Sequence, residues 1–196
     1  MTQQGRLREI VQQKFPQRVL AAHAYQGDET VILTREGLRE ACAWLRDEPG
    51  MRFNVLMDVT AVDYLTFGKA QASAPTTRTP SPLPYFMKPT PVAEVWERGV
   101  EEAYRFEVVY HLYSMAHNHR LRLKVPVTAA DPVVDSLTAL WASADWFERE
   151  VWDMFGIRFA GHPNLKRIMM YESFEGHPLR KDYQYWKRQP LIGPVN

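Results

Sequence analysis

One cysteine, Cys42, is all the thiol this chain has. That excludes an intramolecular disulfide, and it excludes an iron–sulfur cluster held by four thiolates of this chain alone. A reducing compartment fits such cysteine usage. No apolar run approaches the roughly 20 residues that a bilayer-spanning helix needs. The first residues, Met1-Thr2-Gln3-Gln4-Gly5-Arg6, are polar and carry no apolar signal core. Membrane association is therefore expected only through a partner. An excess of one charge sign is also missing: the formal net charge is +1, so the overall field favours neither nucleic acid nor an acidic partner. Neither the dinucleotide glycine pattern nor the P-loop pattern occurs. No Gly-x-Ser-x-Gly elbow and no Cys/His nucleophile arrangement occurs. On its sequence the chain is not itself a catalyst, and no catalytic, cofactor-binding or metal-binding residue is assigned.

What is present is apolar and aromatic. At 196 residues and 45% hydrophobic, the chain can bury one sizeable core with appendages. Six Trp and 12% aromatics are generous, so some rings serve the core or are covered by a partner.

Leu7, Ile10, Val11 and Phe15 recur at helical spacing and predict a helix over 3–14 that stops before Pro16. Val19–Ala24 and Glu29–Leu33 read as strands around a Gln26-Gly27-Asp28 turn. Thr34 is placed to cap a helix with apolar set Leu38, Ala41, Cys42 and Leu45, ended by Pro49-Gly50. On that stripe Cys42 reads as a small buried hydrophobe rather than a reactive thiol. Phe53, Val55, Met57 and Val59 predict one apolar strand face. Phe106-Val108-Tyr110-Leu112, the turn Met115-Ala116-His117-Asn118, and Leu121-Leu123-Val125-Val127 against Arg120, Arg122 and Lys124 predict an antiparallel hairpin with one buried and one solvated face. Asp131-Pro132 reads as N-cap and first residue of a helix continuing through Val134, Leu137 and Trp141. A further helix is expected from Asp145, with Glu148 at the capping-box position and Gly156 as C-cap.

Two stretches lack periodicity. Residues 69–99 are rich in Pro, Ser and Thr and predict an extended loop, locally packed or disordered, with partner contact as the alternative. Residues 160–196 are punctuated by Gly and Pro, with Gly-His-Pro at 161–163 and again at 176–178. They read as an extended tail without a core of its own, ordered by another surface. The expected fold is therefore α+β: a mixed or antiparallel sheet flanked by helices over 1–159, and a C-terminal docking tail over 160–196.

Each polar cluster has a bland reading beside a functional one. His117 and His119 would share a strand face, but no Cys or third His is near in sequence and zinc wants three or four protein ligands; they read as turn residues. His162 and His177 sit in Gly-His-Pro turns, with the imidazole bonded to backbone or a partner rather than acting as base or ligand. Glu148 and Glu150 diverge by about 200° on a helix, so they do not make a paired acid/base site. Arg149 and Asp153 are spaced i, i+4 and can pair. Arg180-Lys181-Asp182-Tyr183 followed by Tyr185-Trp186-Lys187-Arg188 interleaves cations and rings, as single-strand nucleic-acid binders do, but Asp182 and the near-neutral chain favour protein docking.

The order of these segments carries a resemblance. Trp146-Phe147-Glu148-Arg149-Glu150-Val151-Trp152-Asp153-Met154-Phe155-Gly156-Ile157, Gly161-His162-Pro163, Arg167-Ile168-Met169-Met170 and Gly176-His177-Pro178-Leu179-Arg180-Lys181-Asp182-Tyr183 resemble the thirty-kilodalton subunit family of respiratory complex I, known as the C subunit in bacterial NADH–quinone oxidoreductases. The likeness extends through Asp131–Leu137, the hairpin, and Asp58–Tyr64. The segment 69–99 is longer than the family's link, and Tyr171 stands where members often carry proline.

The resemblance implies a non-redox subunit of the peripheral arm of a proton-pumping complex. NADH, FMN, iron–sulfur clusters and quinone would belong to partner subunits. The tail would wrap the quinone-site subunit (the forty-nine-kilodalton type) and a neighbouring iron–sulfur subunit, on the cytoplasmic face of the cell membrane, with no nucleic acid. The implied interface residues are Glu148, Arg149, Glu150, Asp153 and Phe155 on the helix. In the tail they are Gly161, His162, Pro163, Arg167, Gly176, His177, Pro178, Arg180, Lys181, Asp182 and Tyr183. The equivalent subunit of a membrane-bound hydrogenase is the nearest rival. A free nucleic-acid binder and a small metalloenzyme using His117, His119 and His162 are more distant ones.

Overall fold

A computed structural model describes residues 7–65, 104–184, 186 and 189. The expected loop at 69–99 lies outside the described residues, as does the start of the helix expected at 3–14. Among the described residues, three helices, α1 (Leu7–Lys14), α2 (Leu38–Asp47) and α3 (Ala144–Phe155), accompany a five-stranded sheet. Its strands are β1 (Val19–Tyr25), β2 (Asp28–Leu33), β3 (Val55–Asp63), β4 (Tyr104–Ser114) and β5 (His119–Thr128), in the order β1-β2-β5-β4-β3. The β2–β5 pair is parallel and the others antiparallel. The fold is the expected α+β arrangement with a mixed sheet flanked by helices.

Local chemistry explains most boundaries. Gln26 and Gly27 both take positive φ (49° and 91°), the geometry that closes a two-residue hairpin. In α2 the whole apolar stripe, Leu38, Ala41, Cys42 and Leu45, is buried in the core. Burial pushes the Cys42 thiol far up, so it stays protonated and inert.

Several expectations fail for identifiable reasons. Thr34 makes no capping bond, because a 3-10 turn over Arg35–Gly37 intervenes before α2. In β3 the register slips between Leu56 and Asp58, so Leu56 turns inward and Met57 outward, reversing the simple alternation there. The sheet face away from the helices is not uniformly solvated. Glu107 and Val109 are buried on it, and Glu107 accepts from Lys124 Nζ and from Tyr64 Oη, both at 2.8 Å. The helix expected after Pro132 is instead a short strand, β6 (Val133–Asp135), parallel to β7 (Arg158–Ala160). Two β-branched residues favour that state. One turn follows, with Leu140 and Trp141 both donating to the Leu137 carbonyl. Helix α3 begins at Ala144, and Ser143 Oγ donates to Leu56 O rather than capping it.

Candidate docking surface

The last turn of α3 organises everything after it. A helix leaves its final carbonyls without intrahelical partners. Gly156 closes the backbone in the left-handed region (φ 71°), and its N–H returns to Trp152 O. The motif at 176–180 satisfies the carbonyls that remain. His177 Nδ1 donates to Asp153 O (2.9 Å), Leu179 N to Met154 O (3.0 Å), Arg180 Nε to Phe155 O (2.5 Å) and Arg180 Nη2 to Gly156 O (3.4 Å). The guanidinium thus sits at the negative end of the helix dipole, and it also lies over the Phe106 ring. A Cβ at Gly156 would collide with the Arg180 guanidinium and come within 2.6 Å of the His177 ring. This position therefore needs glycine for space as well as for φ.

Asp153 forms the first of two carboxylate clamps. Its side chain is fully buried. Oδ2 accepts from the backbone N–H of Ile168 (3.1 Å), Met169 (2.9 Å) and Met170 (2.9 Å), and Oδ1 from Arg167 Nη1 (2.5 Å). Burial alone would push this carboxyl up, but the Met170 and Met169 N–H groups, the Arg167 guanidinium and the Ile168 N–H outweigh it and hold it below its ordinary value. Arg167 in turn donates to Gly176 O (3.1 Å) and lies over the Trp152 and Phe174 rings. Phe174 contacts Tyr171 edge-on and stacks on Tyr183, whose hydroxyl accepts from Gln189 Nε2.

Asp63, at the end of β3, forms the second clamp. It receives Arg105 through Nε (3.1 Å) and Nη2 (2.7 Å), and the N–H groups of Leu65 (3.0 Å) and Lys181 (2.9 Å). Arg105 extends on to Asp182 through two further bonds (2.9 and 2.7 Å). Asp63 and Arg105 are site residues that sequence reasoning misses. The run Asp58–Tyr64 contains Asp63, but nothing local shows that its partners lie 42 and 118 positions away.

The residues expected at the interface divide into two groups. Arg149 and Glu150 face outward on α3; Arg149 lies over the exposed Trp146 ring and its Nε donates to Lys166 O (3.1 Å). Glu148 and Asp153 are corrections to the idea of a four-residue charged helix face, since both are fully buried. Asp153 pairs with Arg167 rather than Arg149. Glu148 caps no box; its Oε1 accepts from Leu137 N at 2.7 Å, and Oε2 is buried without a hydrogen-bond partner. Burial pushes the Glu148 carboxyl up to about 7. Phe155 is buried in the core.

In the tail, Gly161 (φ 80°) and Gly176 (φ 92°) are turn points. Pro163 is exposed and Pro178 partly buried. His162 Nδ1 accepts from Asn164 N (3.0 Å), which leaves its Nε2–H to donate to Asp145 O (3.1 Å). Burial holds the His177 imidazole below its ordinary value. Both rings are thus turn fasteners bonded to backbone.

The metal reading finds no support among the described residues. The His117 and His119 rings stack at 5.5 Å, His117 Nε2 bonds Pro49 O, and no group of three or more His, Cys, Asp or Glu is placed to hold a metal ion. Among the described residues no helix is long and apolar enough to cross a membrane. The cations and rings considered for base stacking, Arg180 and Tyr183, are engaged within the chain; Tyr185, Lys187 and Arg188 lie outside the described residues.

Known proteins resemble this chain in sequence and fold. The family described as "Respiratory-chain NADH dehydrogenase, 30 Kd subunit" matches residues 31–189. The NADH-quinone oxidoreductase C subunit of Citrifermentans bemidjiense is 41% identical over 184 residues, covering 94% of this chain and 88% of that protein. That of Coxiella burnetii is 38% identical over 205 residues, covering 100% and 82%. Among solved structures, the trypsin-resistant fragment (1–134) of Nqo5 superposes with TM-score 0.56 at 30% identity, covering 82% of this chain and 98% of the fragment. A chain of an archaeal membrane-bound sulfane sulfur reductase superposes with TM-score 0.58 at 17% identity, covering 91% and 85%, a likeness of fold alone.

Proposed function

Because the chain belongs to the 30 Kd subunit family of respiratory-chain NADH dehydrogenase, we propose that it is a non-redox structural subunit in the peripheral arm of a proton-pumping NADH:quinone oxidoreductase. The outer side of α3 and the tail clamped to it form the docking surface. The partners are the quinone-site subunit, of the forty-nine-kilodalton type, and a neighbouring iron–sulfur subunit. NADH, FMN, the clusters and quinone belong to those and other subunits, and attachment to the cytoplasmic face of the membrane comes through them. The chain's part is to hold the electron-carrying subunits in register.

One observation carries this reading. Two buried carboxylates and a guanidinium fix a segment that has no regular secondary structure along 161–184, against the end of α3 and the end of β3. An irregular segment held this firmly, with Trp146, Arg149 and Glu150 outward beside it, is a presented surface rather than a connection.

The test is a mild-detergent pull-down of the tagged chain from its native membranes, followed by iron–sulfur spectra and a quinone-reduction assay. Co-purified clusters with NADH-dependent quinone reduction are expected. Clusters with hydrogenase activity would move the chain to the related assemblies. A lone chain without clusters would end the reading.

A further inference from the structure

Residues 66–103 leave the sheet and return to it at one place. β3 and β4 are antiparallel neighbours with Asp63 opposite Phe106, and Tyr64 N donates to Arg105 O (2.9 Å) just beyond that pair. The same residues hold the end of the tail. Asp63 Oδ1 accepts from Leu65 N and Arg105 Nε, and Oδ2 from Arg105 Nη2 and Lys181 N. Arg105 divides its guanidinium in the same way, between Asp63 and Asp182.

Four charges meet here, one of each sign from either side. The sheet brings Asp63 and Arg105, and the tail brings Asp182 and Arg180. Both guanidinium groups lie over the Phe106 ring, at 4.7 and 5.3 Å from its centre. Burial, and after it the charge of Arg105, lowers the Arg180 guanidinium from its ordinary value, while Asp182 and Asp63 act in the opposite sense. The two cations sit together because each side also supplies a carboxylate. The Asp63 side chain is fully buried and that of Arg105 is 15% exposed.

Neither side opens cheaply by itself. If the tail end left alone, Asp63 would lose a donor and Arg105 its second carboxylate. If Arg105 moved away alone, Asp63 would keep its charge without its guanidinium, and Asp182 would lose both of its bonds to Arg105. Breaking one partner out of a largely buried ion network costs more than the network's net worth.

We propose that the Asp63–Arg105–Asp182 junction couples the tail to the root of the 66–103 segment: residues 64–65, 104–105 and 181–182 order and open as one cooperative unit. Coupling between two sites is reciprocal, so whatever holds one side steadies the other. A partner that engages the tail end also fixes the positions from which residues 66–103 depart. The coupling does not depend on which subunit is the partner.

The test perturbs one side and reads the other. Asp182→Asn in the full chain touches only the tail side, and its site is 51% exposed, so the fold survives the change. Native-state hydrogen exchange is followed at Lys181, bonded to Asp63, and across the junction at Leu65, bonded to Asp63, and Tyr64, bonded to Arg105 O. Glu48, bonded to Trp44 O at the end of α2, is the control. Exchange at Lys181, Leu65 and Tyr64 should rise together by about threefold or more, with Glu48 unchanged. A rise at Lys181 alone would overturn the coupling, because the tail end would then open by itself. No rise at Lys181 would overturn the junction as what holds the tail end. An equal rise at Glu48 would assign the effect to unfolding of the whole chain and overturn the separate unit. Arg105→Lys, which keeps the charge but cannot bridge two carboxylates, perturbs the junction from the sheet side. It should raise the same three amides, and an unchanged Lys181 beside faster Leu65 and Tyr64 would also overturn the coupling.

Discussion

Replacing Asp153 by Asn isolates what the first clamp does. The substitution keeps shape and nearly all volume but removes the charge. Asn retains one acceptor oxygen where the carboxylate served three backbone N–H groups and a guanidinium. Its amide NH2 points donors toward the remaining donors. Losing one partner of a buried charge pair costs about 3–5 kcal/mol. All four of these bonds join α3 to the 167–170 segment and none goes to the sheet, so the loss falls mainly on the closed state of the tail. At 1.4 kcal/mol per tenfold, tail opening becomes roughly 100- to 3,000-fold more populated. Native-state hydrogen exchange measures this directly at the Ile168, Met169 and Met170 amides, with the Val108 amide in β4 as internal control. Acid should do the same to the wild type. The Asp153 carboxyl lies below its ordinary 3.8 in the folded chain. Its contribution is therefore complete above that value and is lost as pH falls through the lowered folded value. If exchange at the three amides rises less than about threefold in a folded Asp153→Asn chain, the clamp is not what holds the tail.

Two further substitutions test the rest of the geometry. Glu148→Gln keeps an acceptor for Leu137 N and removes a carboxyl that burial pushes from 4.5 to about 7. Raised in the folded state, that carboxyl favours folding fully below 4.5 and costs about 3 kcal/mol once pH passes 7, at 1.36 kcal/mol per unit. Thermal melts should show the wild type losing stability between about pH 4.5 and about pH 7 and the variant losing much less; equal slopes would place the titration elsewhere. Gly156→Ala forces a side chain into the left-handed region, costing about 1–2 kcal/mol, and pushes it into the His177 ring. Melting temperature should fall, and the Leu179 amide should lose protection while the α2 amides keep theirs. A variant with normal Leu179 protection would show that residues 177–180 do not depend on that close approach.

The legible parts of this fold are those set by near neighbours. The α2 stripe, the Gln26-Gly27 hairpin, the β4–β5 hairpin and the Gly156 cap all follow from periodicity or from a residue type within a few positions. The misreadings share the opposite feature. Val133 and Val134 read as the start of a helix because Asp131-Pro132 is a good helix opening, yet their strand partner, β7, arrives only after the whole of α3. Helical spacing matches Asp153 with Arg149 because that is the nearest cation along the helix. Its actual partner, Arg167, wins because it also reaches Gly176 O and two aromatic faces. Glu148 reads as exposed because carboxylates usually are, and only the buried Leu137 N–H beside it explains its place. Of the surface residues, Arg149 and Glu150 are legible from the helix, whereas Asp63 and Arg105 act on the tail from the far end of the sheet.

The chemistry of Arg167 shows why the tail could not be ordered by charge alone. A lysine there could reach Asp153, but its ammonium is a single point with no flat face. The guanidinium spends its N–H groups on the Asp153 carboxylate and the Gly176 carbonyl, and it also lies over the Trp152 and Phe174 rings. One planar group therefore joins the helix, the 167–170 segment, the Gly176 turn and the aromatic stack that ends at Tyr183. Those four pieces include both stretches of sequence that read as separate motifs. The Gly176 turn needs the helix end to complete its bonds, and the helix end needs that turn to satisfy its carbonyls. The two motifs are one structural unit interrupted by the chain that connects them, and a change in either is felt in both.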